Sequence, residues 1–241
     1  MAKSGKKRKK KNKQSLKVRL WRWVRRWVLW FCAVSVASLV LATGVHRYID
    51  SGPTYYMKQE ARRLGGVDHQ WVPIEEIAPV MARSVVAAED ANFCNHWGFD
   101  MGAIRSVIEQ GGSRGASTLS QQTVKNVYLW QGRSWIRKAL EAIMTPVVEI
   151  AWSKRRIIEV YLNIAEFDEG VFGVEAASHH YFGVGPEELT ATQAARLAAV
   201  LPNPKKRSAS RPTEQLRKRT SAIIDGAATI RNDGRSACFE D

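Results

Sequence analysis

The chain has 241 residues, of which 45% are hydrophobic, and this share excludes a chain that is disordered throughout. Lys and Arg total 37 against 23 Asp and Glu, but 13 of the basic residues lie between Lys3 and Arg26, where no acid occurs. Removing these 13 leaves 24 bases against 23 acids. A nucleic-acid-binding protein with a globally basic surface is therefore excluded. Three cysteines are too few for a disulfide scaffold or a zinc site built from cysteines.

The first predicted element is a transmembrane helix over residues 27–47, preceded by a basic tail over residues 1–26. The 19 residues from Trp27 to Val45 carry no charge. At about 1.5 Å per residue they span most of a hydrocarbon core roughly 30 Å thick. The alternatives are a buried core helix, which the basic flank disfavours, and a cleaved signal peptide, which the length of the apolar run disfavours.

The charges around this helix predict its orientation. Because cytoplasmic flanks carry the excess of Lys and Arg, we expect residues 1–26 inside and the rest of the chain outside. In a Gram-negative cell that places the single-pass protein in the inner membrane with its domain in the periplasm. Trp21, Trp23, Trp27 and Trp30 fit an interfacial aromatic belt, and the basic tail can contact anionic lipid headgroups.

Residues 48–70 contain Gly and Pro turns and are predicted to be a linker, followed by one mainly α-helical domain over residues 71–241. No convincing alternating strand longer than a few residues occurs. Pro146 lies within the long helical pattern 134–162 and is expected to kink it or divide it in two. The other helices are predicted over residues 74–91, 186–201 and 212–231.

The first chemical cluster is the stretch EDANFCNHWGFD, residues 89–100, at the end of an apolar helix. A carboxylate among aromatic residues is partly desolvated, which raises its pKa and makes Glu89 a candidate general base. The alternative is a solvated Glu89–Asp90 pair at a helix C-terminus. His96 alone is more often a structural hydrogen-bonding residue than a ligand.

The second cluster is RGASTLSQQTVKN, residues 114–126. Gly111, Gly112 and Gly115 permit a mobile loop, and Ser117 or Thr118 is a natural N-cap for the helix that follows. Gln121, Gln122, Lys125 and Asn126 would then lie near a helix N-terminus, where they can hold a phosphate. The alternative is a plain capped helix, and the spacing is not that of a nucleotide-binding P-loop.

Two further clusters contribute charge. Glu141 follows Arg137 by four residues, so both lie on one helix face together with Lys138 and, before them, Arg133. Lys154 and Arg155 begin another apolar pattern and could face an anion. For both clusters the alternative is a solvated surface of ion pairs.

In this order and spacing, the clusters resemble the family-51 glycosyltransferases, the peptidoglycan glycosyltransferases. The resemblance runs from about Val85 to Pro204 and is closest to the monofunctional biosynthetic peptidoglycan transglycosylases. Its motifs are AAEDANFCNHWGFD, RGASTLSQQTVKN, GRSWIRKALEA, YLNIAEF and GVFGVEAA. The short remainder after Arg231 leads us to expect no transpeptidase domain.

The resemblance implies a lysozyme-like, mainly α-helical domain after one transmembrane helix. It implies polymerisation of lipid II into β-1,4-linked glycan strands, with inversion and displacement of undecaprenyl pyrophosphate. Glu89 is then the catalytic base and Glu141 the second essential carboxylate. Glu141 would organise nearby cations or hold Mg²⁺ or Mn²⁺ at the pyrophosphate. The implied substrate-binding residues are Asp90, Phe93, His96, Ser117, Thr118, Gln121, Gln122, Lys125, Asn126, Arg133, Arg137, Lys138, Lys154 and Arg155.

The partners expected from this reading are lipid II, the growing glycan chain and membrane lipid. Cell-wall synthesis proteins are candidate partners, and nucleic acid is not expected. Two alternative functions stay open, a lysozyme-like enzyme that cleaves glycans and a non-catalytic cell-wall scaffold. The cations around Glu141 disfavour the cleaving enzyme, because a neutral leaving group needs no such charge.

Two structural questions also stay open from the sequence. Cys94 and Cys238 either form a disulfide or remain free thiols. The apolar side chains Val127, Tyr128, Leu129, Trp130 and Trp135 either enter the outer-leaflet interface, as a membrane-dipping element within residues 104–136, or pack in the core.

Overall fold

The computed structural model describes residues 5–111, 115 and 117–240, and the side chains from residue 16 onward within these ranges. Lys3 of the basic tail, and Gly112 and Arg114 of the glycine-rich segment, lie outside the described residues. The chain divides into two units, Met1–Val45 and His46–Asp241.

In the described part of the chain, the first unit consists of helix α1 (Gly5–His46) up to Val45, and this helix contains the predicted transmembrane segment. The stretch Leu16–His46 is long and apolar enough to cross a membrane. Its large apolar side chains, such as Trp27, Leu29 and Phe31, are exposed, so this is not the core helix of a globular domain. The helix is compatible with a single-pass membrane anchor.

The described residues of the second unit are mainly helical, with three short strands. Its helices are α2 (Tyr55–Leu64), α3 (Pro79–Glu89), α4 (Met101–Glu109), α5 (Leu119–Tyr128), α6 (Trp135–Ala151), α7 (Lys154–Ile164), α8 (Val174–Phe182), α9 (Ala191–Val200), α10 (Glu214–Asn232) and α11 (Ala237–Glu240). One-turn 3₁₀ helices cover Ile74–Glu76, Phe93–Asn95, Pro186–Glu188 and Pro204–Lys206. The strands are β1 (Asp68–His69), β2 (Glu166–Asp168) and β3 (Val171–Phe172).

The strands form one small sheet in the order β1-β3-β2. β1 pairs with β3 in parallel, with Asp68 opposite Val171, and β2 pairs with β3 antiparallel, with an irregular register. The sheet brings residues 68–69, near the start of the unit, against the segment that follows α7. The mainly α-helical class predicted from the sequence is confirmed.

Two sequence predictions differ from the structure. Residues 48–70 were expected to be a linker, but they form α2 and β1, and Met57 of α2 is buried in the core. Pro146 was expected to kink or divide its helix, and the division at Pro146 is contradicted. The division instead falls after Ala151, where Ser153 caps α7 by accepting a hydrogen bond from the backbone N–H of Arg156. α6 continues through Pro146.

α3, α9 and α10 pack against one another as one group of helices. α9 presents fully buried small residues, including Ala194, Ala195 and Ala198, which let its neighbours approach closely. Gly226 of α10 lies over Ala87 of α3, and a Cβ added at Gly226 would be 3.1 Å from the Ala87 Cβ. This close approach lays α10 along the end of α3.

α5 packs against both α6 and α7 in a second group. Thr118 caps α5 with a capping box, in which its hydroxyl and the Gln121 side chain exchange hydrogen bonds with each other's backbone N–H groups. Ser134 caps α6 by accepting a hydrogen bond from the backbone N–H of Arg137. α3 ends at the junction between the two groups of helices.

A disulfide joins Cys94, in the 3₁₀ turn after α3, to Cys238 in α11, across 144 residues. Phe239 packs near Phe93 with ring centroids 6.3 Å apart, and both rings are buried. The C-terminal helix is thus fixed to the segment that follows Glu89. Of the two thiol states left open by the sequence, the structure has the paired one, and Cys32 of α1 is free.

Candidate active site

Glu89 is the last residue of α3, and its carboxylate lies between the two groups of helices. Its Oε2 accepts a hydrogen bond from Gln122 Nε2 of α5 at 3.1 Å, and its Oε1 is 3.5 Å from a guanidinium nitrogen of Arg219 in α10. The side chain is 14% exposed, which leaves it reachable from solvent. Burial raises the pKa of Glu89 above its usual 4.5, while the Gln122 hydrogen bond and the charges of Arg219 and Arg207 oppose that rise.

Asp90 connects the end of α3 to the start of α5. Its Oδ1 is 2.8 Å from Nε2 of His96, and its Oδ2 accepts a hydrogen bond from the backbone N–H of Leu119 at 2.9 Å. Asp90 and His96 are both largely buried. They therefore fix the loop after Glu89 to the N-terminus of α5, and the structure gives them a positioning role.

The segment before α5 and its first turn supply polar groups on one side of Glu89. Gln122 holds Glu89 and accepts a hydrogen bond at 3.3 Å from the hydroxyl of buried Tyr161. The Ser117 hydroxyl accepts a hydrogen bond from Lys138 at 3.1 Å. Thr118 donates to the carbonyl of Gly98, and Gln121 is buried in the capping box, so both side chains are used within the fold.

A cluster of cations surrounds Glu141 of α6. Glu141 is buried, with one oxygen 2.9 Å from Arg137 and the other in a close ion pair with Lys138. Lys125 of α5 interacts electrostatically with Glu141 and with Glu89, and burial lowers the pKa of its ammonium group. Three cations and one carboxylate thus lie together, Lys125 connects them electrostatically to Glu89, and this excess of positive charge suits a multiply charged anion.

Other residues predicted from the sequence make their contacts elsewhere. Phe93 is fully buried in the core, and Asn126 accepts a hydrogen bond from Gln131. Arg133 is exposed before α6. Lys154 contacts Glu149, the carbonyl of His96 and the face of the Phe93 ring. It therefore stabilises the loop that contains Phe93 and His96.

Arg155 points to another region of the surface. Its guanidinium pairs with Glu75 at 2.8 Å and donates to the carbonyls of Phe239 and Glu240. The structure therefore does not bring Arg155 to Glu89. The local sequence pattern placed Lys154 and Arg155 together, but their side chains leave α7 in different directions.

Sequence reasoning missed the residues that approach Glu89 from the C-terminal part of the chain. Arg219 contacts it directly, and Arg207 lies close enough to affect its pKa. The available signals were two short basic runs, residues 205–207 and 217–219. These signals do not point to a site, because 130 residues separate Arg219 from Glu89.

The residues around Glu141 do not fit a preformed metal site. Both Glu141 oxygens are engaged by cations, so a metal ion would have to displace Arg137 or Lys138. Across the described part of the chain, no group of three or more His, Cys, Asp or Glu is arranged to hold a metal. The donor set is that of an anion site.

The apolar side chains of the predicted membrane-dipping element divide between core and surface. Leu129 is buried and Val127 and Tyr128 pack against the core, so for these the core interpretation is correct. Trp130 is 38% exposed and Trp135 is 86% exposed. Trp135 continues into a row of exposed residues on α6, which consists of Ile136, Leu140, Ile143 and Ile150. Met101 and Ile108 of α4 are exposed as well.

Comparison with known proteins identifies related chains along most of this length. The family described as Transglycosylase matches residues 57–228. A biosynthetic peptidoglycan transglycosylase of Jannaschia sp. (strain CCS1) is 56% identical over 216 residues, which cover 90% of each chain. The protein of that name from Caulobacter vibrioides is 44% identical over 90% of this chain and 96% of its own length. That of Yersinia pseudotuberculosis serotype O:3 is 46% identical over 85% and 88%.

Proposed function

The chain belongs to the transglycosylase family and is a peptidoglycan glycosyltransferase, and from this premise we propose that Glu89 is the base of its polymerisation reaction. The enzyme joins lipid II units into glycan strands for peptidoglycan synthesis, within a lysozyme-like helical domain. The observation that carries the assignment is the position of one partly buried carboxylate, Glu89, next to a cluster of three cations.

The proposed step is a displacement at the anomeric carbon of the donor sugar. The 4-hydroxyl of the acceptor attacks that carbon, its proton passes to a carboxylate oxygen of Glu89, and the bond from the carbon to the pyrophosphate oxygen breaks. Because an α-linked pyrophosphate leaves opposite the attacking oxygen, the new bond is β-1,4. Burial raises the pKa of Glu89, which makes the carboxylate a stronger base than one in water.

The cations on α5 and α6 are the proposed binding site for the leaving pyrophosphate. Lys125, Arg137 and Lys138 carry three positive charges, and Ser117 adds a hydroxyl beside Lys138. Negative charge grows on the pyrophosphate as the bond breaks, so fixed donors that face it stabilise the transition state. Glu141 holds two of these cations in place, which accounts for a second essential carboxylate without direct chemistry.

The same cluster argues against a glycan-cleaving enzyme. Cleavage of a glycosidic bond releases a neutral sugar hydroxyl, whose departure needs a proton donor and no concentration of positive charge. A site with Lys125, Arg137 and Lys138 next to its catalytic carboxylate is suited to an anionic leaving group. A non-catalytic scaffold would have no use for a partly desolvated Glu89. The role of Mg²⁺ or Mn²⁺ remains a prediction from the sequence alone.

For the location of the enzyme, we propose a single-pass anchor in the inner membrane with the domain on the periplasmic side. The 13 basic residues between Lys3 and Arg26 support this orientation. The exposed apolar side chains of α4 and α6 support contact of the domain with the outer leaflet. They adjoin Arg137 and Lys138, which suits a pyrophosphate that stays at headgroup depth.

The proposed function is tested with purified protein and labelled lipid II, by measuring glycan polymer on gels. We expect polymer from the wild type and none above background from Glu89→Gln. Glu76→Gln is the matched control, since Glu76 is an exposed glutamate in a 3₁₀ turn, and it should keep full activity. Polymer formation by Glu89→Gln at the wild-type rate would reject the base assignment.

A further inference from the structure

A second group of cations lines a basic groove that reaches Glu89 from α10, separately from the cation cluster of α5 and α6. It has a volume of about 780 Å³ and runs between the segment after α9 and the first turns of α10. Its lining includes Lys206, Arg207, Arg211 and Arg219 and contains no acidic residue. Arg219 connects the groove to the site, because its guanidinium lies 3.5 Å from Glu89.

Most of the positive charge of this groove has no ion-pair partner in the described part of the fold, and only Arg219 is paired, with Glu89. Among the described residues, Lys206, Arg207 and Arg211 have no carboxylate within ion-pair distance, and Arg207 donates instead to the carbonyl of Ala199. Buried Nε of Arg219 has no hydrogen-bond partner in the described structure. By contrast, Glu214 at the start of α10 is occupied by Lys218. Three cations without a carboxylate partner, next to a fourth that is paired with Glu89, indicate that this concave surface takes an anionic ligand.

The surroundings of the groove indicate which part of the substrate suits it. Among the described residues, no large apolar side chain after Ile150 is exposed, whereas α4 and α6 carry several. The groove lies between a segment and a helix of this later part of the chain, so its surface suits water and not lipid. A lipid-linked pyrophosphate must stay close to the bilayer, so a lipid-free part of the glycan fits the groove better. The anionic groups of that part are the carboxylates of its short peptides.

We propose that the groove lined by Lys206, Arg207, Arg211 and Arg219 binds the peptide carboxylates of the glycan substrate. This inference rests on the proposed function and adds a binding subsite to it. Bound carboxylates there would hold a sugar chain so that its reactive end lies at Glu89, while the pyrophosphate lies at Lys125 and Arg137. The alternative source of anionic charge is a second pyrophosphate, and the experiment separates the two.

The test compares two substrates in the full-length protein. One is lipid II with its natural peptide, and the other is lipid II in which the peptide carboxylates are converted to primary amides. For the wild type we expect amidation to raise KM about three- to tenfold, the loss typical of one charge-assisted hydrogen bond at a partly exposed site. The variant Lys206→Gln with Arg211→Gln should show the same rise with natural lipid II and no further rise with the amide.

A matched control removes the same number of positive charges from another part of the surface. Arg62→Gln with Lys218→Gln also removes two exposed positive charges, outside the groove, and should respond to amidation as the wild type does. If the groove variant loses affinity equally for both substrates, the groove binds pyrophosphate and the proposal is overturned. If the groove variant matches the control with both substrates, the groove is not a binding site.

Equilibrium binding separates this inference from the proposed function. The probe is a lipid-free glycan oligomer with a fluorescent label and its natural peptides, and binding is measured by anisotropy. We expect the wild type to bind it more tightly than the groove variant does, with the difference abolished by amidation. This result would stand even if no polymer formed. Equal binding by both proteins would overturn the subsite whether or not the enzyme polymerises lipid II.

Discussion

Arg219 extends from α10 to lie 3.5 Å from Oε1 of Glu89, while the other carboxylate oxygen accepts a hydrogen bond from α5. The proposed base therefore lies between α10, which supplies a positive charge, and α5, which supplies a neutral hydrogen-bond donor. Burial raises the pKa of Glu89, and the Gln122 hydrogen bond and then the Arg219 charge limit that rise. A residue far from Glu89 in sequence thus contributes to how much of the base is ionised at a given pH.

Replacing Arg219 by Gln should move the acidic limb of the pH–rate profile to higher pH. Without the neighbouring positive charge the pKa of Glu89 rises further, so a smaller fraction of the base is ionised at each pH below the plateau. The measurement is kcat/KM for lipid II across a pH series. Arg217→Gln is the control on the same helix, because the Arg217 guanidinium bonds the carbonyl of Pro212. An unshifted limb would show that Arg219 does not tune the base.

Glu89→Gln should gain stability relative to the wild type as the pH rises. The folded-state pKa of Glu89 is raised above the unfolded value, so ionising this carboxyl costs folding free energy once the pH exceeds about 4.5. The Gln variant lacks that cost. The unfolding free energies of the two proteins should therefore differ least at lower pH. Thermal unfolding over a pH series measures the difference. A difference that shrinks with rising pH would mean that burial does not penalise the charged form.

Glu141→Gln should lower both activity and stability. The change leaves Arg137 and Lys138 without their shared carboxylate. We expect the unfolding free energy to fall by about 1–3 kcal/mol. The loss is limited because Lys138 is half exposed, so solvent screens its charge. With the cations no longer fixed, we expect kcat/KM to fall about tenfold or more.

The control for this change is Glu159→Gln. Glu159 is also largely buried and paired, with Arg156 at 2.9 Å, in α7. It should lower the unfolding free energy by a similar amount while kcat/KM stays near the wild-type value. Equal losses of activity in the two variants would show that Glu141 stabilises the fold and has no specific role in catalysis.

Removing the disulfide should destabilise the domain. Cys94→Ser with Cys238→Ser removes a link across 144 residues, and we expect a loss of about 2–4 kcal/mol in denaturant unfolding. Reductant should lower the stability of the wild type and leave that of the double variant unchanged. Cys32→Ser, on α1, is the matched control and should have no effect. Three alkylatable thiols in the unreduced, unfolded protein would contradict the disulfide.

The exposed apolar side chains of α6 should bind lipid. In a protein that begins at residue 46, Trp135→Ser with Ile143→Ser should weaken liposome binding by about tenfold or more, since burying such side chains contributes on the order of 1–3 kcal/mol each. The melting temperature should hardly change, because both side chains are largely exposed.

Leu64→Ser is the control for this experiment, since it removes an exposed apolar side chain from α2. It should leave liposome binding unchanged. If the α6 variant instead keeps its liposome binding and its melting temperature falls strongly, Trp135 and Ile143 pack in the core.

The parts of the site that the sequence predicted well are those encoded within a few residues. Glu141 and Arg137 are four residues apart on one helix face, and Thr118 lies next to the helix it caps. Local patterns could not distinguish side chains that face the cleft from those used by the fold. Gln121 and Gln122 are adjacent, yet only Gln122 contacts Glu89, because Gln121 closes the capping box.

The residues that the sequence did not predict depend on tertiary packing. Arg219 reaches Glu89 because Gly226, on the same helix, lets α10 lie against α3. Phe93 lies within a motif of the site, but its ring is covered by Phe239 from the last helix. Neither relationship has a local signature, since each joins segments more than a hundred residues apart in sequence.

The order in which the chain is made gives this long-range contact a kinetic consequence. The partners of Glu89 lie 33 and 130 residues further along the chain, so the site is complete only after α10 has docked. Contacts of such sequence separation form late and slowly, because the intervening chain must first be ordered. An enzyme still emerging from the ribosome or the membrane would therefore hold Glu89 without its counter-charge. Before α10 docks, we therefore expect the Glu89 carboxyl to have a higher pKa than in the finished enzyme, so that less of it is ionised at acidic pH.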